Sequence, residues 1–168
     1  MKNSSFYLAL LFVLLAFLQI WLFNGIHLFG FATPLFCIYF LIKLPINMNR
    51  NAALFLSSLL GFVIDIFSGT LGLNMMVMTI LGFLRFYLLK LFIPRDTFEE
   101  TVPSFNSLGR FVFMRYAGVF ILIQASLLYS IESFSLFTPA LLLLRIAGSF
   151  ILTFLLIFAV ESVDIVRN

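Results

Sequence analysis

The sequence predicts an all-α integral membrane protein with six transmembrane helices. Three observations carry that expectation. The chain of 168 residues is 63% hydrophobic and only 10% charged, with a mean hydropathy of +1.18. Its apolar runs are continuous, which excludes the alternating pattern of a β-barrel. Six spans of about 20 residues each would use roughly 120 residues and leave only short connections. A single membrane domain, 1–168, is therefore expected, without an attached soluble module.

In chain order, span 1 covers residues 6–23 and ends at the short turn Asn24-Gly25-Ile26-His27. One lysine precedes it and no small-residue cleavage pattern follows, so it reads as a retained span, not a cleaved signal peptide. Span 2, 28–42, is short and holds Pro34, which is expected to kink it. A polar connection with Lys43, Pro45 and Arg50 leads to span 3, 52–67, which carries Asp65 near its far end. Span 4, 71–92, holds Arg85. The one substantial loop, 93–110, contains Asp96-Thr97-Phe98-Glu99, an N-cap residue followed by an acid three positions on. That pattern fits a short interfacial helix or a solvated acidic connection. Span 5, 111–131, has Arg115 near its start; span 6, 136–160, encloses Arg145; a polar tail begins at Glu161.

Charge distribution sets the expected orientation. With the N-terminus in the cytoplasm, the inner segments hold Lys2, Lys43, Arg50, Lys90, Arg95, Arg110 and Arg167, while the outer connections around His27, Thr70 and Glu132 hold no Lys or Arg. This is the positive-inside pattern and puts both termini in the cytoplasm. The net charge of +3 does not indicate nucleic acid, because the basic residues stand singly at segment ends. One cysteine, Cys37, and one histidine, His27, are too few for a metal site. With no nucleophile–base pair and no phosphate-binding glycine loop, the residues give no support for an enzyme, and no cofactor is expected.

The most informative stretch is GFVIDIFSGTLGLN, residues 61–74. A carboxylate in hydrocarbon costs about 2.5–3.5 kcal/mol on insertion scales, so Asp65 is expected to face protein or water. Ser57, Gly61, Asp65 and Gly69 recur every fourth residue, placing an acid among small residues on one helix face. Asp65 has several readings: a proton, cation or partner-contact residue, a helix-end cap beside the Gly69 turn, or an ion pair with Arg145. Arg145 is about nine residues, roughly 14 Å, from the outer boundary, too deep for easy snorkelling. Arg85 and Arg115 lie nearer the cytoplasmic ends, where snorkelling explains them.

The run G-F-V-I-D, then S-G, then G-L-N, resembles the rod shape-determining protein MreD family. Length, hydropathy and basic bias agree with that family over the whole chain, and Gly61, Asp65, Gly69 and Gly72 are the matching positions. Thr70-Leu71 stands before Gly72 where many members have a proline, which leaves the turn conformation open. The resemblance implies a non-enzymatic scaffold of the bacterial cytoplasmic membrane. Such a protein binds a bitopic MreC-like partner and helps couple MreB to peptidoglycan synthases. It also implies a fold similar to the vitamin-transporter substrate-binding subunit fold. A subunit of an energy-coupling-factor vitamin transporter is thus the rival reading. Against it, Ala9 and Ala16 lack the four-residue alanine spacing that such subunits use for docking, and the short outer connections offer few polar groups to a vitamin.

Overall fold

The computed structural model describes residues 2–23, 33–70, 72–92, 102–132 and 139–167. These residues form helices and connections: α1 (Lys2–Leu18), continued by a π-helical turn Gln19–Phe23, α2 (Ile38–Lys43), α3 (Arg50–Ser68), α4 (Leu73–Phe92), α5 (Phe105–Leu108), α6 (Arg110–Glu132) and α7 (Pro139–Arg167). Four of them, Arg50–Ser68, Leu73–Phe92, Arg110–Glu132 and the Ala140–Val163 part of α7, are long and apolar enough to cross a membrane. At 1.5 Å per residue they reach about 28 Å or more, matching a hydrocarbon core of about 30 Å. The apolar part of α1, Phe6–Trp21, is shorter.

The α3–α4 hairpin is the tightest pairing, and small residues make it so. A Cβ on Gly61 would stand 2.6 Å from the Asn74 carbonyl oxygen and 2.6 Å from Met75 Cα, and one on Gly82 would overlap the Ser57 hydroxyl. The small-residue face of span 3 is therefore used internally, against α4. Ser57 turns its hydroxyl back onto the Ala53 and Leu54 carbonyls, so no polar group is left open in the contact. The opposite face of α3, with Phe55, Phe62 and Ile66, is exposed apolar surface suited to lipid. α4 packs in turn on α6, and α6 on α7.

Three expectations need correction. Span 2 is not a continuous helix: Thr33, Pro34 and Leu35 are non-helical, Phe36 and Cys37 form a turn, and α2 has six residues. Pro34 lies in the non-helical stretch that leads into α2 and not at a kink within a helix, in keeping with its missing N–H donor. Lys43 is not in a solvated connection; it is buried with Glu161, which lies inside α7 and not in a polar tail. The capping pattern at Asp96–Glu99 and the turn at His27 lie outside the described residues. A different capping box does form, at Ser104 and Ser107, where each side chain takes the other residue's backbone N–H at the start of α5.

The α3–α4 contact predicts a specific sensitivity. Gly61→Ala should cost about 1–3 kcal/mol by overpacking against backbone that cannot rotate away. Gly118→Ala, whose Cβ would meet Phe154 at an ordinary 3.6 Å, should leave stability unchanged or raise it. Thermal unfolding in mild detergent compares the two; equal losses would contradict the packing.

Candidate functional site

Among the described residues, three clusters of buried or partly buried polar groups hold the fold together. The first is the α3–α4 turn. α3 ends at Gly69, whose φ of 67° and ψ of 19° place it in the left-handed conformation of a helix C-cap. Gly72, with φ of 76°, adds a second left-handed step just before α4. These two steps reverse the chain so that the α4 N-terminus meets the Asp65 carboxylate. Asp65 Oδ1 accepts from Asn74 N at 3.0 Å, Asn74 Nδ2 at 2.8 Å and Thr70 Oγ1 at 2.7 Å, and Oδ2 accepts from Met75 N at 2.8 Å. Asn74 and Met75 are the second and third residues of α4. Asp65 thus does from the preceding helix what an N-cap side chain does locally, and places a negative group at the positive end of the helix dipole.

The expected Asp65–Arg145 ion pair does not form. The four hydrogen bonds described at Asp65 come from the turn and α4. Arg145 lies six residues into α7, about 9 Å from the helix start, with Nη1 3.8 Å from Glu132 Oε1 at the end of α6. Both Arg145 and Glu132 keep substantial solvent exposure, so that pair contributes little. Of the five candidate residues, Gly61, Asp65, Gly69 and Gly72 are brought into one unit, and Arg145 stands apart.

The second place is the buried segment 33–46. Its non-helical backbone is served by side chains from three surrounding helices. Gln19 acts as a peptide surrogate: Nε2 donates to the Pro34 carbonyl and Oε1 accepts from Cys37 N, both at 3.1 Å. Ser149 Oγ accepts from Thr33 N at 3.1 Å and Thr153 Oγ1 from Leu35 N at 2.9 Å. Tyr129 links the Thr33 and Ser149 hydroxyls at 2.7 and 2.6 Å. At the other end Arg85 donates through Nε to the Leu41 carbonyl at 3.1 Å, and through Nη2 to those of Leu44 and Pro45 at 2.6 and 3.0 Å. Arg85 is only 3% exposed. It does not snorkel; it caps the C-terminus of α2.

The third place is the Lys43–Glu161 pair, with Nζ 2.5 Å from Oε1. Tyr39 Oη donates to the same carboxylate oxygen at 2.9 Å, and Phe105 N donates to Oε2 at 3.3 Å. This cluster ties α2, the start of α5 and α7 together. Sequence reasoning passed over Gln19, Ser149 and Thr153, and assigned Glu161 to a polar tail. Their signal was present: single polar residues, and the pair Ser149 and Thr153 one turn apart, inside otherwise apolar runs.

No protein-family model matches the chain, and no curated protein or solved structure matches it either.

Because Asp65 and Arg145 are separate, their substitutions should act independently. Asp65→Asn replaces one acceptor oxygen by a donor facing another donor, and should cost about 2 kcal/mol. Arg145→Gln should cost less than about 0.5 kcal/mol. The double variant should show the sum in a detergent melting series; rescue of Asp65→Asn by Arg145→Gln would contradict this geometry.

Proposed function

We propose that this chain is a non-enzymatic, multi-pass scaffold of the bacterial cytoplasmic membrane that serves the cell-wall elongation machinery. In this reading it binds an MreC-like bitopic protein, helps couple MreB filaments to peptidoglycan synthases, and so maintains cell shape. The observation that carries the proposal is the 61–74 hairpin. The four residues that give the resemblance to MreD have four complementary roles in one turn. Gly61 admits the α4 backbone, Gly69 and Gly72 reverse the chain, and Asp65 closes it onto the new helix. A shared motif whose members cooperate in one structural device is stronger support than the same letters dispersed over the fold.

The distribution of polar groups favours the same reading. Asp65, Arg85, Lys43, Glu161, Gln19, Ser149 and Thr153 are all engaged in holding helices and connections together. A membrane protein whose inner polar groups serve its own frame is suited to presenting fixed surfaces to partners. In the proposed orientation the end carrying Lys43, Arg50 and Lys90 faces the cytoplasm, and the Asp65 turn faces outward, where the periplasmic part of a bitopic partner would approach.

A mild-detergent pull-down of tagged protein from its native membrane, read by mass spectrometry, tests this. Recovery of a bitopic coiled-coil envelope protein together with wall synthases is the expected result. Recovery of ATPase and transmembrane coupling subunits would replace the scaffold with the vitamin-transporter reading.

A further inference from the structure

The α3–α4 hairpin carries its polar turn at one end and, at the other, Arg50 and Lys90, to which the scaffold reading gives no contact, beside the frame residue Arg85. Arg50 opens α3, with its guanidinium 4.4 Å from the Phe83 ring centroid and 5.7 Å from that of Phe86. Lys90, in the last turn of α4, has Nζ 4.4 Å from the Phe86 centroid. Arg85 lies just over one turn before Lys90 on the same helix. Among the described residues no carboxylate pairs with any of these three cations; Glu161 is taken by Lys43. The α3 N-terminus adds to the positive potential, since the Asn49 side chain makes no capping hydrogen bond.

Two cavities share a wall residue near this end. One of about 170 Å³ is lined by Asn47, Met48, Arg50, Gly82, Arg85 and Phe86, among others. The other, about 360 Å³, is walled by apolar side chains including Leu8, Phe12, Phe40, Leu56 and Leu59. Met48 lines both. A free phosphate would satisfy the cations and leave the apolar cleft unused; a neutral lipid would do the reverse. Only an anionic amphiphile matches both.

We propose that these cavities form a binding site for one anionic phospholipid. Its phosphate lies against Arg50, Asn47 and the α3 N-terminus, in the field of Arg85, and one acyl chain lies in the Leu8–Phe12–Leu56–Leu59 cleft. Arginine suits the head because its guanidinium forks onto phosphate oxygens while its flat face keeps the Phe83 contact. Lys90 flanks the site and adds long-range attraction.

Native mass spectrometry of the full chain in neutral detergent, titrated with phosphatidylglycerol or phosphatidylcholine, tests the site. Phosphatidylglycerol should bind about tenfold more tightly. Arg50→Gln with Lys90→Gln should reduce that preference to about twofold or less. Ala9→Trp, which fills the mouth of the apolar cleft, should weaken phosphatidylglycerol binding without changing the melting temperature measured free of lipid. Equal affinity for the two lipids would overturn the proposal, as would an unchanged preference in the double variant. Displacement of phosphatidylglycerol by millimolar inorganic phosphate would also overturn it, by showing a headgroup site that makes no use of the cleft.

Discussion

The structure depends on satisfying the backbone of residues 33–46. This segment is buried yet only partly helical, and in an apolar surrounding each unpaired backbone group costs several kcal/mol. Side chains of the enclosing helices supply the partners. Gln19, Ser149 and Thr153 supply partners at the entry, and Arg85 closes the exit by donating to three carbonyls. The first turn of α2 is drawn tight by Tyr39 N to the Phe36 carbonyl and Phe40 N to the Cys37 carbonyl, at 3.0 and 3.2 Å. α1, α4 and α7 are thereby positioned around one short piece of chain. Irregular backbone at membrane depth is tolerated where protein encloses it, and here the enclosing helices carry the matching donors and acceptors.

The same rule governs the charges. A buried ion needs compensation, and for Asp65 and Arg85 that compensation is a helix end and not an opposite charge. Asp65 meets the α4 N-terminus across a turn of a few residues, so the loop-closure cost is small. Pairing with Arg145 would have required a contact across the bundle and left two α4 amides open. Arg85 similarly ends α2. Lys43 and Glu161 are the exception, a buried pair that persists because Tyr39 and Phe105 N–H satisfy the carboxylate's remaining acceptors.

Much of this was legible in the sequence. Hydropathy placed α3, α4 and α6 to within two residues at each end, since continuous apolar runs of that length have few alternatives, whereas α7 runs seven residues past the expected end at Val160. The spacing of Ser57, Gly61 and Asp65 marked the α3 face that packs on α4, and Gly69 marked the end of α3. Span 2 was not legible, because hydropathy reports burial and does not distinguish a helix from enclosed irregular backbone; only Pro34 hinted at the break. Arg85 and Glu161 were misplaced for a related reason. Near a span end, a charge that snorkels and a charge that caps a neighbour have the same sequence signature. Distinguishing them requires knowing that α2 terminates beside α4, a tertiary fact.

Cys37 offers the most direct test of the enclosed segment, because it is the sole cysteine and sits within the segment at 1% exposure. The measurement is the rate of maleimide labelling of Cys37 in native membranes, set against the same protein unfolded in strong detergent. The account predicts protection in the native protein, lost in Arg85→Gln and in the Ser149→Ala/Thr153→Ala double variant while the protein remains in the membrane. Rapid labelling of the unaltered protein, at the unfolded rate, would contradict it.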